Sequence, residues 1–167
     1  MSTITSLIAS ETIKSVAFGL LPDELPERGL FGTGRFFQFL ETVLPSIPSR
    51  DAMLSSEEQL VGLLGRYLTN APLRLNSPIS PIRHLEDGVW EFKTKDVRAF
   101  GWFVAKDCAI LDSGCDVKLL KSNRINYSGY IEQTRYVRTS LGFTPGKFIQ
   151  GSEPSHVVTK FIVAPKR

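Results

Sequence analysis

The side chains best suited to chemistry in this 167-residue chain lie between His84 and Lys121, in the stretch HLEDGVWEFKTKDVRAFGWFVAKDCAILDSGCDVKLLK. Lys93, Lys95, Arg98 and Lys118 recur there along strand-like runs. An arginine offers a planar fork of donors to phosphate oxygens, and a lysine offers a compact charge. Carried on a small curved sheet, these cations form a cradle for a phosphate backbone. Arg98 stands out. Its run places Arg98, Phe100, Trp102 and Val104 on one side and Val97, Ala99, Gly101, Phe103 and Ala105 on the other. Apolar residues on both sides mark a central strand covered on most of both faces. A guanidinium there needs either a carboxylate partner, such as Glu91, Asp96 or Asp116, or a function. Both readings stand at this point.

A second basic stretch holds Lys118, Lys121, Arg124, Arg135 and Arg138, with Glu132 as the acid among them. These are candidate RNA-binding residues, and a solvated positive face is the alternative. The net charge of +3 leans basic without establishing a nucleic-acid partner. Cys108 and Cys115 are too far apart for a Cys-x-x-Cys motif, and only His84 and His156 are at hand to supplement them. No metal site and no cofactor are expected. Reduced thiols, the lack of a basic segment leading into an apolar run, and the lack of a membrane-length apolar stretch point to a cytoplasmic protein with no membrane partner.

The elements that must position these residues are legible in part. Val89 to Lys95, Val97 to Ala105 and Cys108 to Ser113 read as strands, joined by turns at Lys95-Asp96 and Lys106-Asp107 into an antiparallel meander. A fourth run, Cys115 to Leu120, extends the sheet. Upstream, Phe36, Phe37, Leu40, Val43 and Leu44 form one helical stripe that Pro45 and Pro48 end. Ser55 or Ser56, with Glu58 or Gln59 three residues on, makes a capping box for a second helix carrying Leu60, Leu63, Leu64, Tyr67 and Leu68. This pair forms an αα-hairpin whose apolar face needs the sheet as a partner. Ser128 is read as the cap of a later helix striped by Tyr130, Thr134, Val137 and Leu141 and ended by Gly142. ELPERGLFGTG reads as loop, and Val157 to Val163 as a late strand. The expected fold class is α+β, a helical hairpin on a small curved antiparallel sheet. Residues 1–30 form an N-terminal arm, 31–143 the domain and 144–167 a C-terminal extension.

Two helices, a proline-containing link, and an Asp-Gly-aromatic strand entering a basic meander resemble the RelE/ParE superfamily of toxins. The likeness is greatest to HigB-type and phage-derived members. It rests on HLEDGVWEFK, DVRAFGWFV and CAILDSGCDVK, spans roughly residues 35 to 140, and is specific only over 84 to 121. The resemblance implies a RelE-like α+β fold and metal-independent cleavage of mRNA in the ribosomal A site. It also implies three partners: mRNA, the ribosome and a cognate antitoxin. In that chemistry a ribose 2′-OH attacks the adjacent phosphate. The site must take one proton, give another and stabilise charge on phosphorus. Carried over by position, Arg98 stabilises the phosphate, while Lys93 and Lys95 bind it or assist proton transfer. Lys118 and Lys121 fall in a basic loop. Tyr127 or Tyr130 is the late aromatic that stacks on a base or serves as acid or base. Two other classes stay open: a member of this fold that binds a protein partner without cutting, and a plain RNA-binding domain.

Overall fold

A computed structural model of the chain describes residues 3–18, 20–69, 71–75, 80–122 and 125–163. The first half runs α1 (Ile4–Ala9), β1 (Ile13–Ser15), β2 (Gly29–Thr33), α2 (Gly34–Thr42), a 3-10 turn (Leu44–Ser46) and α3 (Ser56–Leu68). Then come β3 (Leu73–Leu75), β4 (Ile82–Glu86), β5 (Val89–Lys93), β6 (Val97–Ala105) and β7 (Cys108–Asp116). The chain ends with α4 (Val117–Ser122), α5 (Ile125–Ser140), α6 (Pro154–Val157) and β8 (Phe161–Val163).

The α+β class is as the sequence implies, and β5, β6 and β7 form the expected meander. The sheet, however, is mixed rather than antiparallel. Six strands lie in the order β1-β2-β7-β6-β5-β4, and β2 runs parallel to β7. The segment behind this difference is GLFGT, which its glycines mark as loop. Flanked by β1 and β7, it is a strand with Leu30 in the core. A separate pair, β3 and β8, is parallel. Asp87 and Gly88 join β4 to β5 with φ of 48° and 71°. Positive φ at both central residues is the turn geometry that matches the twist of hairpin strands. Between β6 and β7 the register slips by one, so that Phe100 faces Ser113 while Gly101 faces Leu111. Asp112 is the extra residue of this bulge. A Cβ at Gly101 would overlap the Ile110 carbonyl, so the strands close only over glycine.

The two faces of β6 alternate as its sequence implies. Val97, Ala99 and Phe103 join the core beneath α2 and α3, together with Phe36, Phe39, Leu60, Leu63, Leu64 and Tyr67. Burying each such large side chain contributes about 1.5–3 kcal/mol. Trp102 packs with Ile110, Phe143 and Phe148 on the other face, and Phe100 packs with Cys115 and Leu120. The Ser55–Glu58 capping box starts α3 as expected.

One strand and one helix expectation need correction. Cys115 to Leu120 is not a further strand: β7 ends at Asp116 and α4 begins at Val117. The Asp116 carboxylate accepts from the Lys118 N–H at 2.8 Å, a local bond that competes with extension of the ladder. The α5 helix begins at Ile125, ahead of Ser128. Its end is as expected. Gly142, at φ 90°, bonds Thr139 O and Phe143 bonds Arg138 O, the paired bonds of a glycine-capped terminus.

Both terminal segments pack onto the domain. Leu7, Ile13 and Val16 are buried, and β1 adds a strand to the sheet. Val157 and Val158 join the main core, and β8 pairs with β3. Arg28 ties these parts together. It is 2% exposed and donates to Tyr67 O, Lys160 O and the Asp107 carboxylate. Among the described residues no helix is long and apolar enough to cross a membrane.

Candidate functional site

Strand register builds the site. Across β5 and β6, Glu91 faces Phe100 and Lys93 faces Arg98, and across β4 and β5, Arg83 faces Glu91. Opposed residues share a face. Arg83, Glu91, Lys93 and Arg98 therefore project together toward the side that α5 covers, where Tyr127 descends from its first turn. Glu91 is the hub and is fully buried. Tyr127 Oη donates to Glu91 Oε2 at 2.9 Å, and Arg83 Nη2 lies 2.7 Å from Oε1. Arg98 Nε is 3.6 Å from Oε2, too long for a hydrogen bond, and has no hydrogen-bond partner. The Arg98 Nη1 donates to Thr94 O at 2.5 Å and Val97 O at 3.1 Å.

The electrostatics follow from this crowding. Burial lowers the Lys93 pKa; Glu91 opposes the fall, while Arg83, Arg98 and Lys121 add to it. Burial raises the Tyr127 pKa, and the Glu91 carboxylate raises it further. Arg83 and Arg98 thus flank the Glu91 carboxylate, Lys93 feels its charge, and Lys121 acts on Lys93 from beside it. Arg83 and Lys121 are exposed and Lys93 is half-buried. The arrangement is a cationic cluster about a buried carboxylate that a phenol touches. It can hold an anion and pass a proton inward.

Of the residues singled out by sequence, Lys93, Arg98 and Tyr127 come together here, with Lys121 beside them. Lys95 does not join them: it is exposed on the β5–β6 turn, 3.8 Å from Asp51. Lys118 is exposed on α4. Arg124 lies outside the described residues. Arg135 and Arg138 both engage Asp87 at the β4–β5 turn, at 3.0 and 3.1 Å. Arg138 is 3% exposed, also donates to Asp87 O, and lies 3.6 Å over the Phe148 ring. It serves the hairpin. Tyr130, the other late aromatic, stacks on Phe100 at 4.8 Å, and its pKa is pushed up to about 12, mainly by burial.

Two contributors escaped the sequence reading. Glu91 entered only as a possible partner for Arg98, and Arg83 not at all. The available signal was Glu91 itself, an acid between Trp90 and Phe92 on a run otherwise fit for the interior. Arg83 carried no signal, because its place opposite Glu91 depends on the β4 register.

Asp96 and Asp116, the other two acids offered as partners for Arg98, are neutralised separately. Arg50 Nη1 lies 3.2 Å from Asp96 Oδ1 and 3.0 Å from Asp116 Oδ1, and its Nη2 donates to Asp116 Oδ2 at 3.0 Å. Gln59 Nε2 and the Arg50 N–H both donate to Asp96 Oδ2. Burial works to raise both carboxyl pKa values. Hydrogen bonds from Gln59 and Arg50 outweigh it at Asp96, and those from Arg50 and Lys118 at Asp116, so both are held below the usual carboxylate range.

Among the described residues, no group of three or more His, Cys, Asp or Glu side chains is placed to hold a metal ion. No protein-family model, curated protein or solved structure matches the chain.

Proposed function

We propose that the cationic cluster around Glu91 binds a phosphate of RNA and that the chain is a metal-independent endoribonuclease of the RelE/ParE toxin type, acting on mRNA at the ribosome. The observation that carries this reading is the convergence of Lys93, Arg98 and Tyr127 on one buried carboxylate amid an excess of positive charge. The 2′-oxygen attacks the adjacent phosphorus and the P–O5′ bond breaks, leaving a 2′,3′-cyclic phosphate and a 5′-hydroxyl. The 2′-OH proton passes to Tyr127 Oη as the phenol proton moves to Glu91. A phenol of raised pKa stays neutral and suits that relay. Lys93, with its lowered pKa, gives a proton to the leaving 5′-oxygen more readily than an ordinary lysine. Arg83 and Lys121 meet the charge gathering on the phosphate, and Arg98 holds Glu91 in place.

The test is induced expression in bacteria with mapping of mRNA 5′ ends, for wild type, Tyr127→Phe and Lys93→Ala. Growth arrest with new ends, lost in both variants, is the expected result. Normal growth and intact mRNA on expression of a folded wild-type chain would sink the reading.

One observation favours a second reading, a member of this fold that binds a protein without cutting. The Arg98 guanidinium is spent on two backbone carbonyls and Glu91 rather than held open. On that reading Tyr127→Phe leaves every effect of expression unchanged.

A further inference from the structure

Beyond Leu111, β7 has no strand on its outer side. The pairing with β2 stops at Gly32 opposite Leu111, and the chain then turns into α2. The backbone of the next residues can be oriented from their bonds. Val117 N–H donates to Asp96 O around the Val97–Asp116 pair, which makes that pair a non-hydrogen-bonded one. Alternation then turns the backbone N–H and C=O of Gly114 away from β6. They face a groove of about 710 Å³ whose walls are α2 and α5 and whose end is α4. Phe39 closes one side so tightly that a Cβ at Gly114 would overlap its ring. Ser113 Oγ lines the same groove, is 6% exposed as a residue, and has no hydrogen-bond partner.

We propose that this groove is a docking site for an extended, acidic peptide segment of a partner protein, which adds as a strand to the open edge of β7. Three features specify the occupant. Gly114 offers a donor and an acceptor in line with β2, and one peptide residue opposite it makes two backbone hydrogen bonds. The wall from Arg35 to Val43 spans about 12 Å of helix, enough for roughly three or four extended residues. Among the described residues Arg35 is the one charged side chain that lines the groove; it also acts on the buried Asp112 carboxylate, and its exposed side favours a carboxylate of the peptide. Apolar side chains of the peptide meet Phe39, Val43 and Leu119. Ser113 Oγ, on the side that faces Tyr130, takes a polar group. This inference does not depend on the RNA reading.

The experiment titrates acetyl-Val-Glu-Val-Glu-Val-amide into the full chain, following the Gly114 amide by NMR and hydrogen exchange. Binding should protect the Gly114 N–H and move its proton signal downfield. N-methylation of the central peptide valine should abolish binding. Arg35→Glu, or glutamine for both peptide glutamates, should weaken it about tenfold or more. Arg35 is exposed but acts on the buried Asp112 carboxylate, so urea unfolding of the variant is measured beside the titration, and glutamine for the peptide glutamates tests the same pairing with the chain unchanged. Failure to bind at millimolar peptide overturns the proposal. So does binding that leaves Gly114 unprotected or tolerates N-methylation. A U-rich RNA oligonucleotide that shifts Gly114 and Arg35 in place of the peptide would assign the groove to nucleic acid and overturn it as well.

Discussion

Two arginine–carboxylate networks sit at neighbouring places on this sheet and differ in balance. In one, a single Arg50 serves both Asp96 and Asp116, and Gln59 and the Lys118 N–H complete the oxygens. Acid exceeds base, every carboxylate oxygen has a partner, and the product is a clamp. It fastens the loop after the 3-10 turn to the ends of β6 and β7. In the other, one Glu91 is shared among Arg83, Arg98 and Tyr127, with Lys93 and Lys121 close enough to act on one another. Base exceeds acid, and Arg98 Nε has no hydrogen-bond partner. Similar side chains thus yield a closed structural joint in one place and a site with a net positive charge in the other. Charge balance and saturation separate the two, more than burial does.

The sharpest way to break this comparison is to remove each hub. Glu91→Ala leaves Arg98 buried without its counter-ion and should cost about 3–5 kcal/mol in urea unfolding. Replacing both partners, as Glu91→Leu with Arg98→Met, should recover most of that loss, because the buried charge goes with its partner. If the single and double changes cost the same, the pair is not the unit described here.

Next in size is a change that separates activity from fold. Tyr127→Phe removes one hydrogen bond and should cost only about 1 kcal/mol of stability. On the proposed chemistry it lowers RNA cleavage by about a hundredfold or more. Arg50→Ala should reverse the pattern: the loop at Pro48 to Leu54 becomes open to protease while cleavage is unchanged.

Acid unfolding sharpens the contrast further. Asp96 and Asp116 have folded pKa values below their unfolded ones. Their contribution to stability is full above the unfolded carboxylate pKa and is lost as pH falls through the lower folded values. Arg50→Ala should therefore move the acid-unfolding midpoint upward in pH, and Lys95→Ala should not.

The smallest expected effects are on salt dependence. Arg83→Ala, Lys93→Ala and Lys121→Ala should each lower the slope of log RNA affinity against log salt by about one, while Lys95→Ala leaves it unchanged. Equal slopes for all four would dissolve the distinction between the Glu91 cluster and the turn.

Much of the frame was legible because local chemistry dictated it. The Ser55–Glu58 box and the alternation of β6 each state their structure within a few residues. The parallel placement of β2 was not, since GLFGT gains its strand character from β1 and β7 rather than from its own residues. The candidate site shows the same division. Lys93 and Arg98 lie close in sequence and meet across one turn, so their pairing could be read. Tyr127 reaches them only through the packing of α5. Arg83 reaches them only through the register of β4, and the clamping of Asp96 and Asp116 by Arg50 depends on a loop far upstream.

The most direct test of the central claim, that the cationic cluster around Glu91 handles an RNA phosphate, is to map mRNA cleavage on purified translating ribosomes. Wild-type chain, Tyr127→Phe and Arg50→Ala would be compared at matched folded concentration. The account predicts discrete cuts ending in 2′,3′-cyclic phosphate with wild type and Arg50→Ala, and almost none with Tyr127→Phe. Equal cutting by Tyr127→Phe, or no cutting by any of the three, would contradict it.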